Sequence, residues 1–210
     1  MSKRKTRSLM MVVALAGSVV SAGAQDPRMS PKLDAPSSAA IRAIVDSAKA
    51  QGIPVEPLYE KMYQGQGMGA DGPRIVSAVR TLALEMASAH KAMGTVASAD
   101  EIKAGASAMH AGVPAVELGK LKKQSRLRSL ATPFTVLADL VSRGVPVRTA
   151  ANAIRSLVGA GAKDKDINDF QRNVKEDIQQ GAPPAAAAET RAKASSKPEK
   201  PEQQIDQTDR

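Results

Sequence analysis

The sequence predicts an all-α protein made of stacked helical hairpins, with about eight helices and a degenerate internal repeat. The 210 residues include no Cys, no Trp, two Tyr and two Phe. A core of Ala, Leu, Ile, Val and Met favours closely packed helices over a β-sandwich or barrel. Apolar residues recur at three- and four-residue spacing through most of the chain. Between these segments stands a recurring phrase of Gly, a β-branched residue and Pro, at Gly52-Ile53-Pro54, Gly112-Val113-Pro114 and Gly144-Val145-Pro146.

The first 24 residues have the composition of an export signal. Basic residues open the chain, the apolar stretch 9–20 follows, and Ala22-Gly23-Ala24 provides the small-x-small pattern of a cleavage site. The apolar stretch is shorter than the roughly 20 residues that span a bilayer. We therefore expect cleavage after Ala24 and a periplasmic or secreted mature chain without a transmembrane span; an uncleaved N-terminal anchor is the alternative.

Signal cleavage also changes the charge of the protein. Removing Lys3, Arg4, Lys5 and Arg7 lowers the formal net charge from +9 to +5, because residues 1–24 contain no acidic side chain. Much of the basic character thus belongs to the signal, and we expect no nucleic-acid partner.

The folded domain is predicted to span residues 39–181, after a linker at 25–38 that contains three Pro and lacks apolar periodicity. The periodicity places the first helix from Ala39 to Gly52. A second helix starts near Pro54, and the third and clearest runs from about Pro73 to Met93.

Five further helices follow in the second half of the domain. Ser98 and Glu101 form a capping box that opens the fourth, and the fifth contains Val116. Thr132 before Pro133 predicts the start of the sixth. The seventh and eighth begin near Pro146 and Asp164. The tail, 182–210, is rich in Ala, Pro, Lys and Glu and is predicted to be disordered, because it has too little apolar surface to offset its ordering entropy.

An internal repeat relates the two ends of the domain. Gly52 and Gly144 lie 92 residues apart, and the same offset aligns Ile75 with Ile167. Two copies of a unit of helix, turn, helix, glycine turn and helix explain this match, with a partial copy of the phrase at Gly112. The pattern fits an open solenoid or a closed irregular bundle.

The repeated phrase is predicted to mark turns rather than to bind a ligand. Its Gly can take the left-handed conformation that caps a helix, and the next residue can pack back on that helix. Its Pro can begin the next helix without losing a hydrogen bond. The predicted turn residues are Gly52, Pro54, Gly112, Pro114, Gly144 and Pro146.

Met86, His90 and Met93 lie at i, i+4 and i+7 and so share one helical face. Thioether and imidazole ligands suit copper, which makes these three residues a candidate metal site. Methionine is also a common filler of cores that lack aromatic residues. Because one helix supplies the whole cluster, we expect no metal and no cofactor.

Five cations crowd one stretch of the chain, here called the basic patch: Lys120, Lys122, Lys123, Arg126 and Arg128. The patch could bind an anionic partner such as lipid head groups or an acidic polymer. The alternative is a solvated helix end, where cations interact favourably with the helix dipole.

Residues suited to catalysis are few. The chain has no Cys, two His and no Ser in a G-x-S-x-G setting. The glycine-rich segment 64–74 lacks the nucleotide-binding patterns and is better explained as a connection between helices.

The expected function is therefore that of an exported, non-enzymatic helical-repeat protein that holds another envelope protein or peptide on a groove or face of its stack. The alternative is an envelope-surface protein that handles an anionic ligand through the basic patch, or copper through the face of Met86, His90 and Met93. An enzyme would require a deep pocket with convergent polar groups.

Overall fold

The computed structural model describes residues 28, 32–125, 127 and 129–195. The predicted signal, six of the fourteen residues of the predicted linker and residues 196–210 lie outside this part of the chain. The described residues form nine helices and no strand, which confirms the all-α prediction. The helices are α1 (Ala35–Ala50), α2 (Glu56–Gly67), α3 (Gly72–Met93), α4 (Ala99–His110), α5 (Ala115–Gln124), α6 (Ala131–Ser142), α7 (Val147–Gly159), α8 (Asp164–Gln179) and α9 (Pro184–Ser195).

The helices form a two-row stack in which each packs on neighbours one or two positions along the chain. One row follows the contacts of α1 with α3, α3 with α5, α5 with α7, and α7 with α9. The other follows the contacts of α4 with α6 and α6 with α8. Contacts between consecutive helices, such as α2 with α3 and α3 with α4, join the rows. This arrangement is the predicted stack of helical hairpins.

Small residues bring the central helices close together. A Cβ atom at Gly105 of α4 would lie 3.2 Å from the side chains of Ala89 and Met93 on α3. A Cβ atom at Gly119 of α5 would lie 3.1 Å from the carbonyl oxygen of Ala92. Glycine at these two positions therefore allows α4 and α5 to approach α3 more closely than larger residues would.

The three turns of the repeated phrase share one geometry. Gly52, Gly112 and Gly144 have φ values of 69°, 103° and 87°. The amide of the residue after each glycine donates to a carbonyl five residues earlier, at 2.9–3.0 Å, as in a Schellman cap. That residue is buried in each case and packs against the end of the helix that it follows. The three residues are Ile53, Val113 and Val145.

The prolines of these turns stand slightly earlier than the first helical position. Pro114 and Pro146 are the N-cap residues of α5 and α7, with extended ψ angles of 143° and 137°. Pro54 precedes the N-cap Val55 of α2. Each proline thus directs the chain into the next helix from just outside it.

The structure corrects the boundary predicted for the C-terminal tail. Residues 184–195 form α9, which packs on α7 and α8 and buries Ala187, Ala188 and Ala192. The turn before α9 repeats the capping geometry, because Gly181 has a φ of 94° and the Ala182 amide donates to the Asp177 carbonyl. Alanine has the highest helix propensity, and its small side chain allows close packing despite low hydrophobicity.

Two helix starts also differ from the prediction. Helix α1 begins at Ala35 rather than Ala39, because Asp34 caps it by accepting the Ser37 amide at 2.8 Å. Helix α6 begins at Ala131, and its N-cap is Leu130 rather than Thr132. The Leu130 amide donates to the Glu101 carboxylate and the Ala131 amide donates to Ser129 Oγ, so a distant and a local side chain both contribute to this start.

Candidate functional site

An open groove lies between α2 and α4, with α3 as its floor. Its volume is about 700 Å³. We call it the α2–α4 groove; it is lined by Pro57, Glu60, Lys61 and Gln64 of α2, Ala78, Thr81, Leu82 and Glu85 of α3, and Lys103, Ala106, Ser107 and His110 of α4.

The packing of the helices explains why this groove exists. Helices α2 and α4 both pack on α3 but are not themselves a closely packed pair. Side chains of α2 at i, i+3, i+4 and i+7 face the space between them, which is one face of a helix. The apolar residues of the groove are Ala78 and Leu82 on the floor and Ala106 on the α4 wall, so a bound side chain would be removed from water there.

Two polar contacts between helices lie at the rim of the groove. The Lys103 ammonium lies 3.0 Å from the Glu60 carboxylate, which joins α4 to α2. His110 Nδ1 lies 3.1 Å from Glu85 Oε1, which joins α4 to α3. The His110 side chain is 75% exposed, whereas that of Glu85 is 19% exposed. The lining contains two glutamates and two lysines, so the groove has no large excess of either charge.

The residues of the basic patch differ in their surroundings. Lys120 pairs with Glu117 at 2.7 Å, and Lys122 pairs with Glu101 at 2.8 Å. Lys123 is exposed. Arg126 and Arg128 lie outside the described residues. Two of the three described cations therefore already have carboxylate partners within the chain.

Glu101 is a buried carboxylate that connects three helices. It completes the capping box of α4 with Ser98, accepts from Lys122 at the end of α5, and accepts from the Leu130 amide at the start of α6. Burial raises the pKa of Glu101, but the hydrogen bonds from Lys122, Ser98 and Leu130 outweigh it and leave the pKa below its usual value. The charged form of Glu101 is thus part of the folded structure.

The methionines of the candidate copper site are in the hydrophobic core. Met86 and Met93 are buried, whereas His90 is half-buried on the same helix. Within the part of the chain that the structure covers, no group of three or more His, Cys, Asp or Glu residues is placed to hold a metal ion. None of the helices in that same part is both long and apolar enough to cross a membrane.

The sequence reasoning did not identify the α2–α4 groove. Its lining comes from three helices, and the residues of the Lys103–Glu60 ion pair and of the His110–Glu85 contact are 43 and 25 positions apart in sequence. One local signal was present, since Lys103, Ala106, Ser107 and His110 share a helical face that combines small and polar side chains.

A smaller cavity of about 260 Å³ lies between α7 and α9. Its lining on α7 consists of Thr149, Asn152, Ala153 and Ser156, and α9 contributes Glu189, Ala192 and Lys193. Helices α7 and α9 pack directly on each other, which leaves this cavity much smaller than the α2–α4 groove.

Comparisons of this chain with protein families, with curated proteins and with solved structures find no match. The geometry of the α2–α4 groove and the internal repeat are the features of this chain that bear on its function.

Proposed function

We propose that this chain is an exported, non-enzymatic binding protein that holds a segment of another envelope protein or peptide in the α2–α4 groove. The observation that supports the proposal is the groove itself. It combines a volume of about 700 Å³, apolar residues in its interior and polar contacts at its rim.

The scaffold suits this activity. Stacks of helical hairpins present extended concave surfaces to which each helix adds one face. Peptide-binding grooves commonly combine an apolar floor, which supplies affinity, with polar side chains that fix orientation. The α2–α4 groove has both features, and its charges are nearly balanced, so we expect the affinity to depend mainly on apolar contacts.

Export forms part of the proposal through the composition of the first 24 residues. The basic start, the apolar stretch and the Ala22-Gly23-Ala24 pattern together favour a periplasmic or secreted location. The partner is then a protein or peptide of the same compartment.

The alternative function is binding of an anionic ligand through the basic patch. The pairing of Lys120 with Glu117 and of Lys122 with Glu101 weakens this alternative, because both lysines would have to give up a carboxylate. Copper handling is weakened by the burial of Met86 and Met93, whose thioethers are packed in the core.

A selection of short random peptides on the full chain tests the proposed function. Peptides that bind the wild type are measured again with Thr81→Trp, which places a large ring in the groove at an exposed position of α3. The expected result is a loss of affinity of about tenfold or more, with little change between low salt and about 0.5 M NaCl, where Coulombic attraction is screened.

The matched control is Thr135→Trp, at an exposed threonine of α6 that is outside the groove. This variant should bind the selected peptides as the wild type does. Equal affinity of the peptides for Thr81→Trp and the wild type would contradict binding in the groove. Loss of binding at high salt would instead support the basic patch.

A further inference from the structure

We infer that the α2–α4 groove accepts an extended peptide segment that carries an aromatic residue and, three residues away, an arginine. In the bound segment the aromatic ring lies over Ala78 and the guanidinium pairs with Glu85. This inference rests on the proposed function and specifies the chemistry of the partner.

The internal repeat allows the helices beside the groove, α2 and α3, to be compared with α7 and α8. At an offset of 92 residues, the last residue of α2, Gly67, corresponds to the last residue of α7, Gly159. At the same offset, the first residue of α3, Gly72, corresponds to the first residue of α8, Asp164. The packing of α1 on α3 likewise matches that of α6 on α8. The first copy of the repeat, α1 to α3, and the second copy, α6 to α8, therefore share their helix register.

The same face of the equivalent helix lines a cavity in each copy. The four residues that α2 contributes to the groove correspond one by one to the four that α7 contributes to the cavity beside α9: Pro57 to Thr149, Glu60 to Asn152, Lys61 to Ala153 and Gln64 to Ser156. In the second copy the chain covers this face itself, since α9 packs on α7. In the first copy the equivalent face remains open.

The floor differs between the copies by an aromatic ring. Ala78 of α3 lines the groove, and its counterpart on α8 is Phe170, which is 1% exposed within the core. The first copy thus lacks the volume of a ring at a position where the second copy has one. A ligand side chain of that size would fill this space and bury apolar surface over Ala78.

One of the two acidic residues of the groove, Glu85, has a counterpart that binds arginine. Glu85 corresponds to Asp177 of α8, which accepts two hydrogen bonds from Arg191 of α9, at 2.7 and 2.6 Å. The two carboxylates are similarly exposed, at 19% for Glu85 and 20% for Asp177. Glu85 contacts His110, whose exposed imidazole can be displaced by a ligand guanidinium that pairs through two hydrogen bonds.

The spacing along α3 fixes the spacing in the ligand. Ala78 and Glu85 are seven residues apart on one helix, which is about 10.5 Å at a rise of about 1.5 Å per residue. A peptide in the extended polyproline II conformation rises about 3.1 Å per residue with three residues per turn, so its residues i and i+3 lie on one face about 9 Å apart. An extended segment also fits better than a helix of about 10 Å diameter, because the Lys103–Glu60 ion pair already spans the walls.

Titration of the full chain with the peptide acetyl-Ala-Phe-Ala-Ala-Arg-Ala-amide tests this inference. Binding is measured by isothermal calorimetry, together with two peptides in which Phe is replaced by Ala or Arg by Gln. Both replacements should weaken binding to the wild type by about tenfold. Ala78→Phe should weaken binding of the parent peptide by a similar factor, because the new ring fills the space from the protein side.

Glu85→Gln identifies the partner of the arginine. With this variant the Arg and Gln peptides should bind equally, whereas the effect of replacing Phe should persist. The matched control for Ala78→Phe is Ala43→Phe, at an exposed alanine of α1 that does not line the groove. Circular dichroism of each variant verifies that it is folded.

Two results with the protein variants would overturn the inference. The first is unchanged binding of the parent peptide to Ala78→Phe, and the second is equal weakening of the Arg and Gln peptides by Glu85→Gln. If the parent peptide does not bind the wild type while selected random peptides bind and are blocked by Thr81→Trp, the aromatic and arginine specificity is wrong and the proposed function stands. If Thr81→Trp blocks none of the peptides that bind, the proposed function itself fails.

Discussion

At the scale of single residues, glycines with positive φ determine where several helices stop. Gly144 has a φ of 87° and ends α6, and the Val145 amide after it completes the cap at the Leu140 carbonyl. A side chain in this conformation meets the following carbonyl oxygen, which costs roughly 1–2 kcal/mol. The cap thus depends on the absence of a Cβ atom rather than on a contact made by the glycine.

Gly144→Val should lower the free energy of unfolding by at least about 1 kcal/mol, because valine is strained in the left-handed conformation. Urea unfolding followed by circular dichroism measures the change. Gly159→Val is the matched control, since Gly159 ends α7 within the helix, with φ outside the left-handed region and open space around it. Similar stability of Gly144→Val and the wild type would show that the cap does not require glycine.

Glu101 shows at the same scale what a motif can and cannot predict. The Ser98–Glu101 capping box follows from the sequence, because both residues belong to one helix start. The contacts of Glu101 with Lys122 and Leu130 join residues 21 and 29 positions away. Only the packing of α4, α5 and α6 brings these groups together.

At the scale of whole elements, α9 shows why composition alone misplaced the end of the domain. Its sequence, PAAAAETRAKAS, has almost no amphipathic pattern and no large apolar side chain. Helix α9 nevertheless packs on α7 and α8, and this packing buries Ala187, Ala188 and Ala192. The surfaces that receive α9 belong to other helices, so the sequence of α9 by itself could not reveal them.

Ala188→Asp should release α9 from the stack, because an unpaired carboxylate at a fully buried position carries a large desolvation cost. Limited proteolysis should then cleave within α9 considerably faster than in the wild type. Ala186→Asp is the matched control, at an exposed position two residues earlier in the same helix. If both variants are cleaved at the wild-type rate, the packing of α9 does not protect it.

At the scale of the whole molecule, carboxylates with lowered pKa values link successive helices and make stability dependent on pH. Burial raises the pKa of Glu101 and Asp139, but hydrogen bonds from Lys122 and Arg143, among others, leave both below their usual values. The hydrogen bond from Arg191 lowers the pKa of Asp177. As the pH falls, the unfolded chain therefore binds more protons than the folded chain does. These carboxylates stabilise the fold at pH values above their unfolded-state pKa values.

The free energy of unfolding should accordingly be highest above about pH 5 and should fall as the pH drops through about 4 and below. Glu101→Gln should cost about 2 kcal/mol at neutral pH, because it leaves Lys122 without its charged partner, and should reduce the acid dependence. Urea unfolding at neutral pH and at about pH 3 measures both effects.

Glu60→Gln controls for the change in net charge, because it removes a carboxylate from an exposed ion pair with Lys103. Exposed pairs of this kind contribute about 0–1 kcal/mol. A loss of stability in Glu60→Gln equal to that in Glu101→Gln would show that burial of Glu101 has no special role.

The sequence by itself determined the helical class, most of the helix positions and the turns of the repeated phrase. These features arise from interactions within about six residues, namely the apolar period, the capping box and the glycine cap. The tertiary structure alone decided that α9 belongs to the fold, that Glu101 neutralises Lys122, and that α2 and α4 leave a groove. Each of these depends on residues far apart in the chain, whose meeting is determined by how the helices pack.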